Sequence, residues 1–218
     1  METSSTGFTL MELFEMGGIV MWPLLIFSIA AVAITVERGI YLGYHNLRLA
    51  DLKKKVEEAL LNKNLAEARE FLESNTRRRM GARILLILVN RSGLSEHRLE
   101  KAVEAEAISC ISSLENGFNF LTALGSISPL TGFLGTVTGM IGAFKSISEA
   151  VDVNAQIVAS GIYEALITTV FGLVIAIIAM SAHSIFTHMV DKFASDVEIV
   201  CSDLIIKITE SRKSGNEN

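Results

Sequence analysis

Residues 165–190 read ALITTVFGLVIAIIAMSAHSIFTHMV, a stretch of 26 residues without Asp, Glu, Lys or Arg. Two other uncharged runs precede it, 20 residues from Gly17 to Val36 and 29 residues from Asn116 to Phe144. A helix that crosses a bilayer needs about 20 predominantly apolar residues, so each run is long enough. The three runs therefore predict an integral membrane protein with three transmembrane helices.

The composition and the flanks of the first run agree with this interpretation. Half of the 218 residues are hydrophobic, a fifth are charged, and the mean hydropathy is +0.44. Glu2, Glu12 and Glu15 precede the first run and no basic residue does, so the run lacks the basic start of a cleavable signal peptide. We therefore expect it to remain as an anchor. The net charge of −5 predicts no nucleic-acid partner.

The basic residues predict the orientation in the membrane. Of the 19 Lys and Arg residues, none precedes the first run, fourteen lie in residues 37–115, one lies between the second and third runs, and four lie in the tail. Basic residues near the ends of a span favour the cytoplasmic side, and Arg38, Arg48 and Lys53–Lys55 meet this condition. We therefore expect the N-terminus outside and the C-terminus in the cytoplasm.

Apolar residues keep a helical spacing beyond the second and third runs. The period continues from Leu99 through Leu114 into the second run, and from Phe193 through Ile208 after the third. The sequence thus predicts an all-α fold in which spans two and three extend into the cytoplasm as long helices. For the second span we expect one uninterrupted helix of about 50 residues.

Spans two and three each have one face of small residues. At 100° per residue the glycines of each span fall on one side of the helix, where small residues allow close backbone approach in lipid. We interpret them as packing positions within the chain or between subunits: Gly125, Gly132, Gly135, Gly139, Gly142, Gly161 and Gly172. Two small faces exceed what one intrachain contact would use, which predicts a homo-oligomer.

Polar side chains on these faces are candidates for a site. Glu164 lies on the small side of span three, and a carboxylate in the membrane usually marks an ion or proton path. The alternative is a residue near the interface that pairs with a cation across a subunit boundary. Thr136 lies at the edge of the small face of span two. Its hydroxyl bonds either to its own helix or lines a pore, and both interpretations stay open.

Three segments resemble one known family. They are GGIVMWPLL at residues 17–25, TGFLGTVTGMIGAF at residues 131–144 and ASGIYEALITTVFGL at residues 159–173. They are similar to the first, second and third helices of the MotA/TolQ/ExbB proton-channel family, most like ExbB. The resemblance covers nearly the whole chain, and the two later motifs together are highly specific.

The resemblance implies a bacterial inner-membrane protein that carries out no bond chemistry and needs no cofactor. It implies a homopentamer in membrane lipid around a dimer of an ExbD-like single-span subunit, which supplies the Asp that takes and releases the proton. The work would be done on a TonB-like protein for outer-membrane import. Carried over, Thr136, Glu164 and Thr169 line the polar path. Thr168 stands where the family commonly has Ala and lies closer to Glu164 on the helical wheel, so it is a second candidate.

Other functions were weighed against this one. Within the family, a TolQ-type subunit of the Tol-Pal envelope system is the alternative, whereas the chain lacks the larger cytoplasmic segment associated with MotA stators. A passive scaffold that binds through its glycine faces has no use for Glu164. An intramembrane hydrolase is disfavoured because Ser181 and His183 point about 200° apart on a helix.

Together these patterns divide the chain into seven expected segments. In order they are a periplasmic N-terminal segment, 1–16; transmembrane helix 1, 17–44; a helical cytoplasmic segment, 45–115; transmembrane helix 2, 116–146; a periplasmic hairpin, 147–156; transmembrane helix 3, 157–186; and a cytoplasmic C-terminal helix and tail, 187–218.

The orientation is testable by chemical labelling. Cysteines introduced at Ser4 and Asp152 should react with an impermeant thiol reagent in intact cells, because both positions are expected outside. A cysteine at Asn64 should react only after the cells are opened. Labelling of position 64 in intact cells together with protection of position 4 would reverse the orientation.

Overall fold

Helices make up 89% of the computed structural model, which describes residues 10–62, 64–149 and 155–216. No strand occurs within these ranges, and the all-α prediction is confirmed. The helices are α1 Leu10–Met16, α2 Met21–Tyr44, α3 Ala50–Leu61, α4 Leu65–Asn75, α5 Met80–Asn90, α6 Glu96–Glu115, α7 Phe118–Glu149 and α8 Ala155–Asn216. Residues 1–9 of the expected N-terminal segment and residues 150–154 of the expected hairpin lie outside the described residues.

Three helical stretches are long and apolar enough to cross a membrane. They run over Met21–Tyr44, Glu96–Glu149 and Ala159–Arg212. Large apolar side chains on them are exposed on the surface of the chain, among them Trp22, Ile29, Phe133, Leu130, Val170 and Ile177. Such a surface is unfavourable in water and suits contact with lipid or with other membrane helices. The prediction of three transmembrane helices is confirmed by length and composition.

The second of these stretches is interrupted at Asn116 and Gly117. Helix α6 ends at Glu115, Asn116 is extended with φ −53° and ψ 131°, and Gly117 has φ 88°. The Phe120 N–H then donates to the Gly117 carbonyl oxygen at 3.1 Å and starts α7. The prediction of one uninterrupted helix was therefore wrong. The helix breaks at Gly117 because glycine adopts a positive φ without steric cost. The third stretch lies within α8, which runs unbroken over 62 residues.

The first of two compact units comprises α1, α2 as far as Val36, α7, and α8 as far as Ser184. Its central feature is the contact between α7 and α8. A Cβ atom at Gly172 would lie 2.5 Å from the Ser128 carbonyl oxygen, and one at Gly132 would lie 2.8 Å from the Thr168 carbonyl oxygen. The two backbones therefore approach to a separation that leaves no room for a methyl group.

Most of the other glycines of the small faces also lie at this contact. A Cβ atom at Gly139 would lie 3.1 Å from the Gly161 carbonyl oxygen, and one at Gly161 would lie 2.6 Å from Ala143 Cβ. Gly135 faces the Thr168 side chain, and Gly125 faces the Met180 side chain. Gly142 has no atom of the described chain within 4 Å of an added Cβ. One intrachain contact thus uses both small faces, contrary to our expectation, and they give no argument for a homo-oligomer.

The second compact unit comprises α2 from Glu37, α3 to α6, and α8 from Ile185. Its core is made of fully buried apolar side chains, including Leu52, Leu72, Ile84, Leu85, Leu88, Leu99, Leu114, Phe193 and Leu204. Ion pairs on the surface join α3 to α8, with Lys53 Nζ 2.7 Å from an Asp203 carboxylate oxygen and Lys207 Nζ 2.6 Å from a Glu57 carboxylate oxygen. Exposed pairs add little stability, so the apolar core holds this unit together.

The α7–α8 contact predicts a difference between two glycine substitutions. Gly172→Ala should destabilise the protein by about 1–3 kcal/mol, because its methyl group would overpack against the Ser128 carbonyl. Gly142→Ala is the matched control. It raises the helix propensity by the same amount, and its new Cβ atom would have no described atom within 4 Å. The measurement is the fraction of detergent-solubilised protein that stays monodisperse after heating. Equal heat resistance of the two variants would contradict the close packing.

Candidate functional site

Three threonine hydroxyls meet at one backbone carbonyl between α7 and α8. The Gly132 carbonyl oxygen lies 3.3 Å from the hydroxyl of Thr136, 3.3 Å from that of Thr168 and 3.2 Å from that of Thr169. The hydroxyl oxygens of Thr136 and Thr169 are 2.5 Å apart, so one donates a hydrogen bond to the other. The Thr136 hydroxyl also lies 3.4 Å from the Ala165 carbonyl oxygen.

The close approach of the helices makes this cluster possible. A Cβ atom at Gly132 would lie 3.0 Å from Thr169 Cα, so glycine alone lets Thr169 pack directly over this turn of α7. Thr136 follows Gly132 by one helical turn and therefore projects from the same face of α7. The absent side chain leaves the Gly132 carbonyl oxygen open to hydroxyls from both helices. The glycines thus determine where the hydroxyls meet.

Thr168 and Thr169 differ in their surroundings although they are neighbours in sequence. Thr168 is 1% exposed, and its hydroxyl donates to the Ala165 carbonyl oxygen of its own helix at 2.8 Å. Its side chain fills the space over Gly135. Thr136 and Thr169 are each half-buried and keep part of their surface open. The structure therefore joins Thr169 to Thr136 at the edge of the contact and encloses Thr168 inside it.

Glu164 makes no hydrogen bond to the threonine cluster within the described residues and packs against the turn before α2. Its side chain is half-buried, and its Oε1 atom occupies the space that a side chain at position 18 would take. Gly18 has φ 66°, a conformation that glycine adopts readily. The hydrogen bonds of the three threonine hydroxyls go to one another and to backbone carbonyls, and none of those within the described chain reaches Glu164. The structure thus joins Thr136 to Thr169 by a hydrogen bond, whereas the Glu164 carboxyl group packs against Gly18.

Sequence reasoning missed the role of the turn at Gly17 and Gly18. A Cβ atom at Gly17 would lie 3.4 Å from the Ile167 side chain, so both glycines face α8 near Glu164. The turn also explains why α2 begins at Met21 although the apolar run begins at Gly17. The glycine pair is visible in the sequence as a possible break. Nothing local indicates that its partner is a carboxylate far along the chain.

Helices that cross a membrane and carry paired hydroxyls and a carboxylate have the make-up of an ion-conducting subunit. Comparison with known proteins identifies this class more closely. Residues 52–199 match the model of the MotA/TolQ/ExbB proton channel family. The chain therefore belongs to the MotA/TolQ/ExbB proton channel family, and the resemblance seen in its motifs is confirmed.

Individual relatives agree with this assignment. The chain is 32% identical over 201 residues to the putative biopolymer transport protein ExbB-like 1 of Synechocystis, which covers 88% of this chain and 78% of the relative. It is 33% identical over 109 residues to the biopolymer transport protein ExbB of Salmonella typhimurium, covering 50% of this chain and 43% of the relative. It is 43% identical over 86 residues to the Tol-Pal system protein TolQ of Haemophilus influenzae, covering 39% and 38%. The family is one of inner-membrane proteins, in agreement with the three apolar helices.

The contact between Gly18 and Glu164 can be tested with a hydrophobic carbodiimide, which modifies carboxyl groups in apolar surroundings. Gly18→Ala should increase the labelling rate of Glu164, because the new methyl group would displace the carboxyl group from the turn. Gly43→Ala, on α2, is the control, since a Cβ atom there meets nothing within 4 Å in the described chain. Glu164→Gln identifies the labelled residue by abolishing its signal. An unchanged labelling rate in Gly18→Ala would contradict the contact.

Proposed function

We propose that this chain is the proton-channel subunit of an ExbB–ExbD-type motor in the bacterial inner membrane. The motor would convert proton motive force into mechanical work on a TonB-like partner for outer-membrane import. In this proposal five copies surround a dimer of an ExbD-like single-span subunit, with the N-terminus in the periplasm and the C-terminus in the cytoplasm. Support comes from the family membership and from the similarity to proteins named ExbB.

The observation that carries the proposal is the hydroxyl pair of Thr136 and Thr169, 2.5 Å apart on two membrane helices. A carbonyl oxygen has two lone pairs, and the Gly132 carbonyl is shared by three hydroxyls besides the backbone N–H one turn later. The hydroxyls cannot all donate to it at once. Thr168 donates to the Ala165 carbonyl oxygen, and within the pair one hydroxyl donates to the Gly132 carbonyl oxygen while the other donates to its neighbour. The half-buried hydroxyl oxygens of Thr136 and Thr169 keep lone pairs that can accept a hydrogen bond from a water molecule or from a partner's side chain.

Glu164 has a different role in the proposed path. Its half-buried carboxyl group can hold and release a proton, whereas a threonine hydroxyl at neutral pH only relays hydrogen bonds. Since it makes no hydrogen bond to the threonine hydroxyls in the described chain, a proton passes between the two positions through water or through the Asp of the partner helix. Thr168, enclosed between α7 and α8, serves packing in this scheme.

A TolQ-type subunit of the Tol-Pal envelope system is the second candidate. The 43% identity over 86 residues to a protein named TolQ favours it. Complementation separates the two candidates. Restored outer-membrane import in a strain without ExbB supports the first, whereas restored outer-membrane constriction in a strain without TolQ supports the second.

The proton path predicts the effect of a neutral replacement of the acid. Glu164→Gln should fold and assemble but reduce proton-motive-force-dependent transport by about 100-fold, the scale of losing a positioned proton-transfer group. The change nearly preserves the size of the side chain, so a packing role would survive it. Glu198→Gln is the control, because Glu198 is an exposed acid in the expected cytoplasmic part of the chain, 187–218. Full transport by the Glu164→Gln variant would rule out the proton role.

The same transport assay separates the two neighbouring threonines. Thr169→Val removes a hydroxyl that is bonded to Thr136, and the loss should be milder than for the acid because water can bridge the gap. Thr168→Val is the matched control, since its hydroxyl bonds to backbone carbonyls in a closed contact. A larger transport defect in Thr168→Val than in Thr169→Val would contradict the proposal that Thr169 belongs to the path and Thr168 serves packing.

A further inference from the structure

A cavity of about 540 Å³ lies in the second compact unit beside the end of α2. Its lining residues come from the last turn of α2, the segment that follows it and the α4–α5 connection: Gly43, Tyr44, Asn46, Asn75, Arg78 and Arg79. Helix α2 is one of the three helices that can cross a membrane, and it ends at Tyr44. The cavity therefore lies at one end of a helix that is long and apolar enough to cross a membrane. It is separate from the threonine cluster and from Glu164, which belong to the first unit.

Two arginines give the cavity a positive charge. Arg78 is exposed and makes no ion pair within the described residues, and its guanidinium carbon lies 5.8 Å from the centre of the Tyr44 ring. Arg79 is mostly buried and its Nη2 atom lies 3.2 Å from an Asp51 carboxylate oxygen. One acid thus neutralises one of the two arginines. The cavity keeps an uncompensated guanidinium group.

Hydrogen bonds fix the walls of the cavity around the exposed Arg78 guanidinium group. Arg79 Nε is buried and has no hydrogen-bond partner in the described part of the chain. The Asn46 side-chain oxygen accepts from the Arg48 N–H at 3.0 Å, which orients the amide. The Asn46 N–H donates to the Arg78 carbonyl oxygen at 3.1 Å and holds the two walls of the cavity together. A guanidinium group held in this position and unpaired within the described residues suits the oxygen atoms of a phosphate group.

The surface next to the cavity indicates where the phosphate comes from. Ile40 is 68% exposed and Tyr44 is 54% exposed, and they share one face of α2 because they are one turn apart. Tyrosine favours the boundary between lipid and water, and the apolar face of a transmembrane helix is covered by acyl chains. A ligand with its phosphate in the cavity would lay an apolar tail along Ile40. We propose that this cavity binds the phosphate headgroup of an anionic phospholipid.

Lipid binding by the full-length protein in neutral detergent tests the proposal. Native mass spectrometry measures the binding of phosphatidylglycerol, with phosphatidylcholine as the lipid of no net charge. Arg78→Gln should weaken phosphatidylglycerol binding by about fivefold, the contribution of one basic group at a membrane surface. Arg77→Gln is the matched control, because Arg77 is adjacent and exposed but does not line the cavity. Arg78→Lys keeps the charge without the planar fork and should retain part of the binding.

Two further measurements distinguish a lipid phosphate group from free inorganic phosphate. Inorganic phosphate at the lipid concentrations used should neither bind nor displace phosphatidylglycerol, since it lacks the apolar tail. Displacement by inorganic phosphate would overturn the lipid assignment. Equal weakening by Arg77→Gln and Arg78→Gln would indicate a general basic surface and would also overturn it. If Arg78→Gln is monodisperse by gel filtration and binds phosphatidylglycerol as well as the unmodified protein does, the proposed site is wrong.

Discussion

The first unit of the protein depends on the close approach of α7 and α8 at Gly132 and Gly172. A Cβ atom at Gly172 would lie 3.2 Å from Gly132 Cα, so neither position tolerates a larger residue without moving a helix. In lipid the hydrophobic effect does not drive helices together, and packing at short range has to hold them. The same approach opens the Gly132 carbonyl oxygen to the threonine hydroxyls of both helices. The close approach of α7 and α8 therefore explains both the packing of the two helices and the meeting of the threonine hydroxyls.

The polar groups on these helices are arranged in two places. Thr136 and Thr169 form a pair at the edge of the α7–α8 contact, while Glu164 faces the turn at Gly18. Such a division suits a subunit whose path is completed by another chain, because neither place alone spans the membrane. In the proposed motor the single-span partner supplies the group between them. In that proposal the chain would contribute hydroxyl groups and a carboxyl group, and the partner would contribute the central proton carrier.

The second unit is organised by different forces. Its helices α3 to α5 are short and amphipathic, and together with α6 and α8 they bury an ordinary apolar core such as that around Leu85, Leu99 and Phe193. Hydrogen bonds on its surface join its segments. For example, Arg212 Nη1 donates to the carbonyl oxygens of Ser92 and Leu94. The Arg78 and Arg79 cavity lies in this unit beside the end of α2. A lipid headgroup bound there would connect this unit to the membrane surface.

Much of this molecule follows from the sequence alone, because the decisive properties are local. The length of an uncharged run decides whether a helix can cross a bilayer, and three runs such as residues 165–190 are enough to predict the all-α class. Short motifs around Thr131 and Glu164 were enough to indicate the family. Glu164 and Thr136 could be named as candidates because a carboxyl or hydroxyl group stands out on a face of small residues. The orientation, the homopentamer and the proton path stay predictions.

Tertiary structure decided what depends on which surfaces meet. A helical wheel placed Thr168 closer to Glu164 than Thr169 and so kept it as a second candidate. The neighbouring helix encloses Thr168 and leaves Thr169 beside Thr136. The interruption at Gly117 depends on a positive φ, and a single glycine in a sequence does not indicate whether it adopts one. The contact between Gly18 and Glu164 joins residues far apart in the chain. Backbone separation and side-chain burial are properties of a packed pair of helices, and neither can be read from one helix by itself.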